Sequence, residues 1–112
     1  MITIKNKKEL EYAIQKHETT IHVDDANLSK ILILVYRLQN GFIHDSVIEH
    51  IVSDRPCKIA VGEGVMYEVD DALIKQVMSL NQRLSDSKIE LDVVEIVNTQ
   101  INIFYGNSIN DQ

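Results

Sequence analysis

Two short acidic runs hold the residues of this chain best placed to do chemistry. Val23-Asp24-Asp25-Ala26 recurs as Val69-Asp70-Asp71-Ala72, and both runs stand where an alternating apolar stretch hands over to a helical pattern. Carboxylates at strand ends can converge on one edge of a sheet and hold a hard cation through oxygen ligands. On that reading the chain is a small metal-dependent enzyme or cation-binding domain using Asp24, Asp25, Asp70 and Asp71, with His22 or His44 beside them. Capping explains the same residues without any ligand. An Asp at the N-cap accepts backbone N–H groups, and a second Asp in the first turn complements the positive end of the helix dipole. Capping is the more economical expectation, so no metal or cofactor is expected and the four Asp residues stand as binding candidates only.

The histidines do not strengthen the metal reading. His17, His22, His44 and His50 include no pair at the four-residue spacing of a helical zinc site, and the single Cys57 offers no second thiolate. Gly62-Glu63-Gly64 lacks the lysine and hydroxyl of a phosphate loop and puts a carboxylate where the anion would sit, so it reads as a turn. No serine stands in a nucleophile-elbow context. Glu90 and Asp92 share one face of an alternating run and Glu95 falls on the other, the pattern of a solvated strand face rather than of an acid–base pair. Cys57 follows the only proline and begins an apolar-alternating run, the position of a small buried hydrophobe. No residue is assigned a catalytic role.

The elements that would position these groups follow from periodicity. Ile2 and Ile4 alternate with polar neighbours as a first strand, and Asn6 with Glu9 forms a capping box that opens a helix carrying Leu10, Ala13, Ile14 and His17 on one stripe. A strand over 20–23 follows; if it lies beside the first, the two are parallel with a right-handed crossover. Leu28, Ile31, Leu32, Val35 and Leu38 set a helix over 27–39 that stops at Asn40-Gly41; a buried strand is the alternative for this apolar run. Asp45 caps a short helix through Ser53, Pro56 ends it, and alternating runs at 57–61 and 65–69 make a hairpin with a three-residue turn. A helix over 71–84 and two strands, 88–97 and 100–105, complete the pattern, with 107–112 as a frayed tail. The acidic repeat extends into the helices, where Leu28 meets Ile74, Ile31 meets Val77 and Leu34 meets Leu80 at the same offset. The expected fold is therefore α+β, one domain over 1–106 with a mixed sheet of five to six strands and three to four helices. A doubly wound α/β sheet is the alternative.

Composition bounds the function. The 112 residues are 45% hydrophobic and 25% charged, which suits one self-sufficient core. Acidic residues outnumber basic ones 17 to 11, the net charge is −6, and no Lys or Arg follows Lys88. Nucleic acid is a poor partner for such a chain, because phosphates are bound by clustered cations and Lys5, Lys7 and Lys8 are the nearest approach to a cluster. The start of the chain has no leader-like apolar run and the longest apolar stretch, 31–36, is too short to span a bilayer, so a cytoplasmic protein without membrane contact is expected. Acidity suits a basic protein partner. The expectation is a small accessory or regulatory protein acting by protein–protein binding, of inhibitor or immunity-like type. A structural homo-oligomer subunit is a further alternative. A homodimer is also expected, because Ile33 and Leu34 lie off the main stripe of the 27–39 helix and would form an exposed apolar pair.

Overall fold

The computed structural model describes residues 1–106, and the expected tail at 107–112 lies outside them. In chain order the elements are β1 (Ile2–Ile4), α1 (Lys7–Gln15), β2 (Thr20–Val23), α2 (Ala26–Gln39), α3 (Asp45–Val52), β3 (Cys57–Gly62), β4 (Val65–Val69), α4 (Asp71–Asp86), β5 (Ile89–Glu95) and β6 (Gln100–Tyr105). The fold is α+β. Its strands do not form a single sheet: β1, β2, β6 and β5 make a four-stranded mixed sheet in that order, while β3 and β4 form a separate hairpin. The doubly wound alternative is thereby corrected.

Local chemistry sets the element ends. The Asn6 carboxamide accepts the Glu9 N–H at 2.8 Å and the Glu9 carboxylate accepts the Lys5 N–H at 2.7 Å, which closes the capping box of α1. That helix ends in a Schellman motif, with Glu18 N–H on the Ala13 carbonyl and His17 N–H on the Ile14 carbonyl. His17 takes the left-handed position, at φ 56°. It is thus not part of the buried stripe; its ring instead stacks on Tyr105 with centroids 4.6 Å apart. The Tyr105 hydroxyl donates to the Glu18 carbonyl at 2.6 Å, and burial, then the Glu18 carboxylate, raise its pKa. Helix α2 ends in the same motif at Gly41, where φ is 75° and glycine carries no Cβ penalty.

β1 and β2 are parallel, as adjacency requires, with Ile2 opposite Ile21 and Ile4 opposite Val23. β6 enters antiparallel between β2 and β5. One face of this sheet, formed by Ile4, Ile21, Val23, Ile89, Leu91, Ile101 and Ile103, is buried. In the hairpin the turn is tighter than three residues. Gly62 pairs with Val65, and Glu63 and Gly64 both have positive φ, the requirement of a type I′ turn.

α2 is the central helix, in contact with α4, with β5 of the sheet and with β3 of the hairpin. That position explains its apolar circumference. Ile33 is 1% exposed and Leu34 0%, so the expectation of an outward-facing apolar pair is corrected: both are covered within the chain and neither can form a dimer interface. A helix hydrophobic all round is a buried helix, and the chain supplies enough neighbours to bury this one. No helix among the described residues is long and apolar enough to cross a membrane.

Candidate functional site

The two acidic runs act as caps, but out of step with each other. Asp25, second of its pair, accepts the Leu28 N–H at 2.8 Å, whereas Asp70, first of its pair, accepts the Leu73 N–H at 2.9 Å. Asp24 is exposed and follows β2. Asp71 begins α4 and pairs through one carboxylate oxygen with Lys75 at 2.9 Å, one turn on. The strands leading into the runs also differ, because Val23 closes a strand of the large sheet and Val69 closes the hairpin. The repeat is thus a shared way of starting a helix, not a duplicated site. Behind the caps, Leu28, Ile31 and Leu34 on α2 match Ile74, Val77 and Leu80 on α4, and all six are buried.

Capping predicts a specific pattern of mutational cost. Asp25→Ala and Asp70→Ala should each destabilise by about 0.5–2 kcal/mol, while the Asn variants should sit close to wild type. Asp24→Ala should change little, since its side chain caps nothing. Urea unfolding of the series measures this; a large loss at Asp24, or loss of a titratable cation site in the Asn variants, would restore the metal reading.

The histidines are dispersed over the fold. His17 ends α1, His22 stands on β2, His44 precedes α3 without a side-chain capping bond, and His50 sits in the last turn of α3. Among the described residues, no three or more His, Cys, Asp or Glu side chains group as a metal site. Cys57 begins β3 partly exposed rather than fully buried.

What the strand order does bring together is a second face of the large sheet. Alternation turns Thr3, Thr20, His22, Gln100, Asn102, Phe104, Glu90 and Asp92 away from the buried face, and each is exposed or half-exposed. The four strands contain no Lys or Arg. Rows cross the sheet: Thr20, Asn102 and Asp92 form one, and the Thr20 hydroxyl donates to Asn102 Oδ1 at 3.2 Å. His22 and Gln100 lie in the next row, with Thr3 beyond His22.

A β-bulge changes where Glu95 belongs. Val93 lies opposite Ile101, but Glu95 lies opposite Gln100, so Val94 is the extra residue and the alternation of β5 slips by one. Residues opposite each other in an antiparallel pair point to the same side. Gln100 faces outward, and Glu95 therefore joins Glu90 and Asp92. The expectation that Glu95 falls on the other face is corrected: the edge strand carries a three-carboxylate stripe on one face. Beside it stand Phe104, 54% exposed and opposite Glu90, and Val94, 51% exposed at the bulge. The sheet thus presents, with Lys88 at its end beside Glu90 and Phe104, an uncovered face with an acidic margin and two apolar side chains. It can dock a surface; it holds no nucleophile with a partnered base.

A second concavity lies past the carboxyl ends of β1 and β2, where α1 and α2 begin. This cleft of about 480 Å³ has Leu28, Ile31 and Leu80 as its floor and Lys5, Lys7 and Lys75 on its rim. Two of these lysines belong to the sparse basic group that the sequence places near the N-terminus.

Compared with protein-family models, with curated proteins and with solved structures, the chain matches none.

Proposed function

We infer that the protein is a binding protein that works without catalysis by docking a basic protein surface on the open face of its four-stranded sheet, in the manner of an inhibitor or accessory subunit. The observation that carries this reading is the stripe of Glu90, Asp92 and Glu95, aligned by the bulge on a sheet face whose four strands hold no Lys or Arg. Fixed like charges at a rim raise association rates with an oppositely charged partner and reject wrong ones. Phe104 and Val94 supply apolar contact inside that margin, the composition of a small interface core.

The test is affinity capture from the native cell extract with wild type and with a Glu90→Gln, Asp92→Asn, Glu95→Gln variant whose unfolding curve matches wild type. The expected result is a stoichiometric basic partner that wild type retains, that salt releases and that the triple variant loses. Retention by the triple variant, or loss on Lys5→Gln and Lys7→Gln instead, would remove the sheet face from consideration.

A further inference from the structure

Residues 43–69, which hold α3 and the β3–β4 hairpin, keep their polar bonds to themselves. The two hairpin strands pair only with each other, and the backbone and side-chain bonds of α3 and its flanks close within the same segment. Among the described residues, no hydrogen bond or ion pair joins 43–69 to the rest of the chain. The other elements are tied together by such bonds, through the ladders of the large sheet, Arg83 on Glu11, and Gln39 on β5. What holds the segment is packing. It supplies Ile43, Ile51, Val61 and Val69 to the buried core, and the Tyr67 ring receives the Lys30 ammonium at 5.6 Å.

Both joints are independent of the segment. α2 closes with Phe42 N–H on the Arg37 carbonyl and Gly41 N–H on the Leu38 carbonyl, while α4 is opened by the Asp70 side chain on the Leu73 N–H. Losing 43–69 from its place therefore unravels neither helix. Inside the segment the hairpin ladder joins β3 to β4 and α3 packs on β3, whereas α3 meets α4, and β3 meets α2, through packing alone. Regions with few buried contacts and self-contained bonding open as cooperative units below the free energy of global unfolding. We propose that residues 43–69 are a cover that leaves α2 as one unit while the large sheet, α1, α2 and α4 stay folded. The period of α2 decides what this uncovers. Lys30 meets Tyr67 of the cover and Arg37 meets Phe42 at its hinge, with the guanidinium 4.8 Å from the ring centroid. Positions 30, 33 and 37 share one side of a helix, so Ile33, 1% exposed in the closed form, lies under the cover. Opening bares this apolar side chain between two cations.

Native-state hydrogen exchange of the full chain, in urea below the unfolding transition, tests the cover. Amides of the β3–β4 ladder and of α3 should share one opening, roughly tenfold or more populated than that of Ile101, Ile103 and the interior of α4. Its urea dependence should be weaker, because less surface is exposed. Ile103→Val weakens the closed and the open form alike; it should speed exchange of the Ile101 amide roughly fivefold and leave the cover amides unchanged. In a Cys57→Ser background, Ile33→Cys should react with a thiol reagent on the time scale of the cover amides, and Ile103→Cys only on that of the large sheet. Equal protection and equal urea dependence throughout, a matching response of cover and sheet to Ile103→Val, or an Ile33→Cys no more reactive than Ile103→Cys would overturn the proposal. Should a cysteine variant fail to fold, the exchange of wild type and of Ile103→Val decides the question alone.

Discussion

Leu34→Ala is expected to lower stability by about 2–5 kcal/mol, the range for truncating a fully buried leucine, and Leu34→Glu to leave the chain unfolded at any protein concentration. The side chain is 0% exposed on α2, the helix that touches α4, β5 and β3, so truncating it opens a cavity in the core. Domains of this size have a total stability of only about 5–15 kcal/mol. One such truncation therefore removes a large share of it. Ile33→Ala, at 1% exposure, should cost a similar amount. Met66→Ala on the hairpin, 57% exposed, serves as the control and should change stability by less than about 0.5 kcal/mol. Urea unfolding monitored by circular dichroism measures all four. If Leu34→Glu stays folded and only shifts an association equilibrium, the side chain faces a second copy and the packing described for α2 is wrong.

The reason this outcome was not legible in the sequence is instructive about what periodicity can report. Asn6 with Glu9, Asn40 with Gly41, and Asp25 and Asp70 announce helix ends because capping is satisfied within four residues, and local chemistry is all it needs. Alternation at 2–4, 20–23, 57–61 and 65–69 announces strands for the same reason. Which strands pair is a different matter: β6 inserts between β2 and β5 from far along the chain, and the hairpin leaves the sheet to cover α2. Ile33 and Leu34 look surplus only if one face of α2 is counted as available. The candidate site was hidden for a related reason. Strict alternation puts Glu95 opposite in sense to Glu90 and Asp92, and a single extra residue, Val94, reverses that. Bulges carry little local signal in a run where β-branched residues stand on both sides of the extra one, as Val93 and Ile96 flank Val94 and Glu95. The lysine rim likewise joins Lys5 and Lys7 to Lys75, residues that only the packing of α4 beside the first helix turns brings together.

Gln39→Leu is expected to destabilise the fold by about 1–3 kcal/mol, the cost of leaving buried backbone groups unpaired, and to make it self-associate through β5. This strand is an edge of the large sheet, and an open edge is a template for another chain's strand. The Gln39 carboxamide fills that role from within. Its Nε2 donates to the Ile89 carbonyl at 3.1 Å, and its Oε1 accepts the Leu91 N–H at 3.0 Å. One side chain thus supplies the donor and the acceptor that a neighbouring strand would present. Its reach depends on α2 ending where it does, since Gln39 is the last residue of that helix before the Asn40 cap. Leucine keeps the bulk and removes both bonds. Glutamate keeps the acceptor for Leu91 but sets an oxygen against the Ile89 carbonyl, so Gln39→Glu should lose stability as well, while its added charge should restrain association. Hydrogen exchange separates this edge seal from simple packing: the Leu91 amide should be protected in wild type and exchange much faster in Gln39→Leu, with Ile101 and Ile103 in β6 little changed. Unaltered protection of Leu91 in that variant, together with a monomer at high concentration, would show that β5 needs no cover from α2.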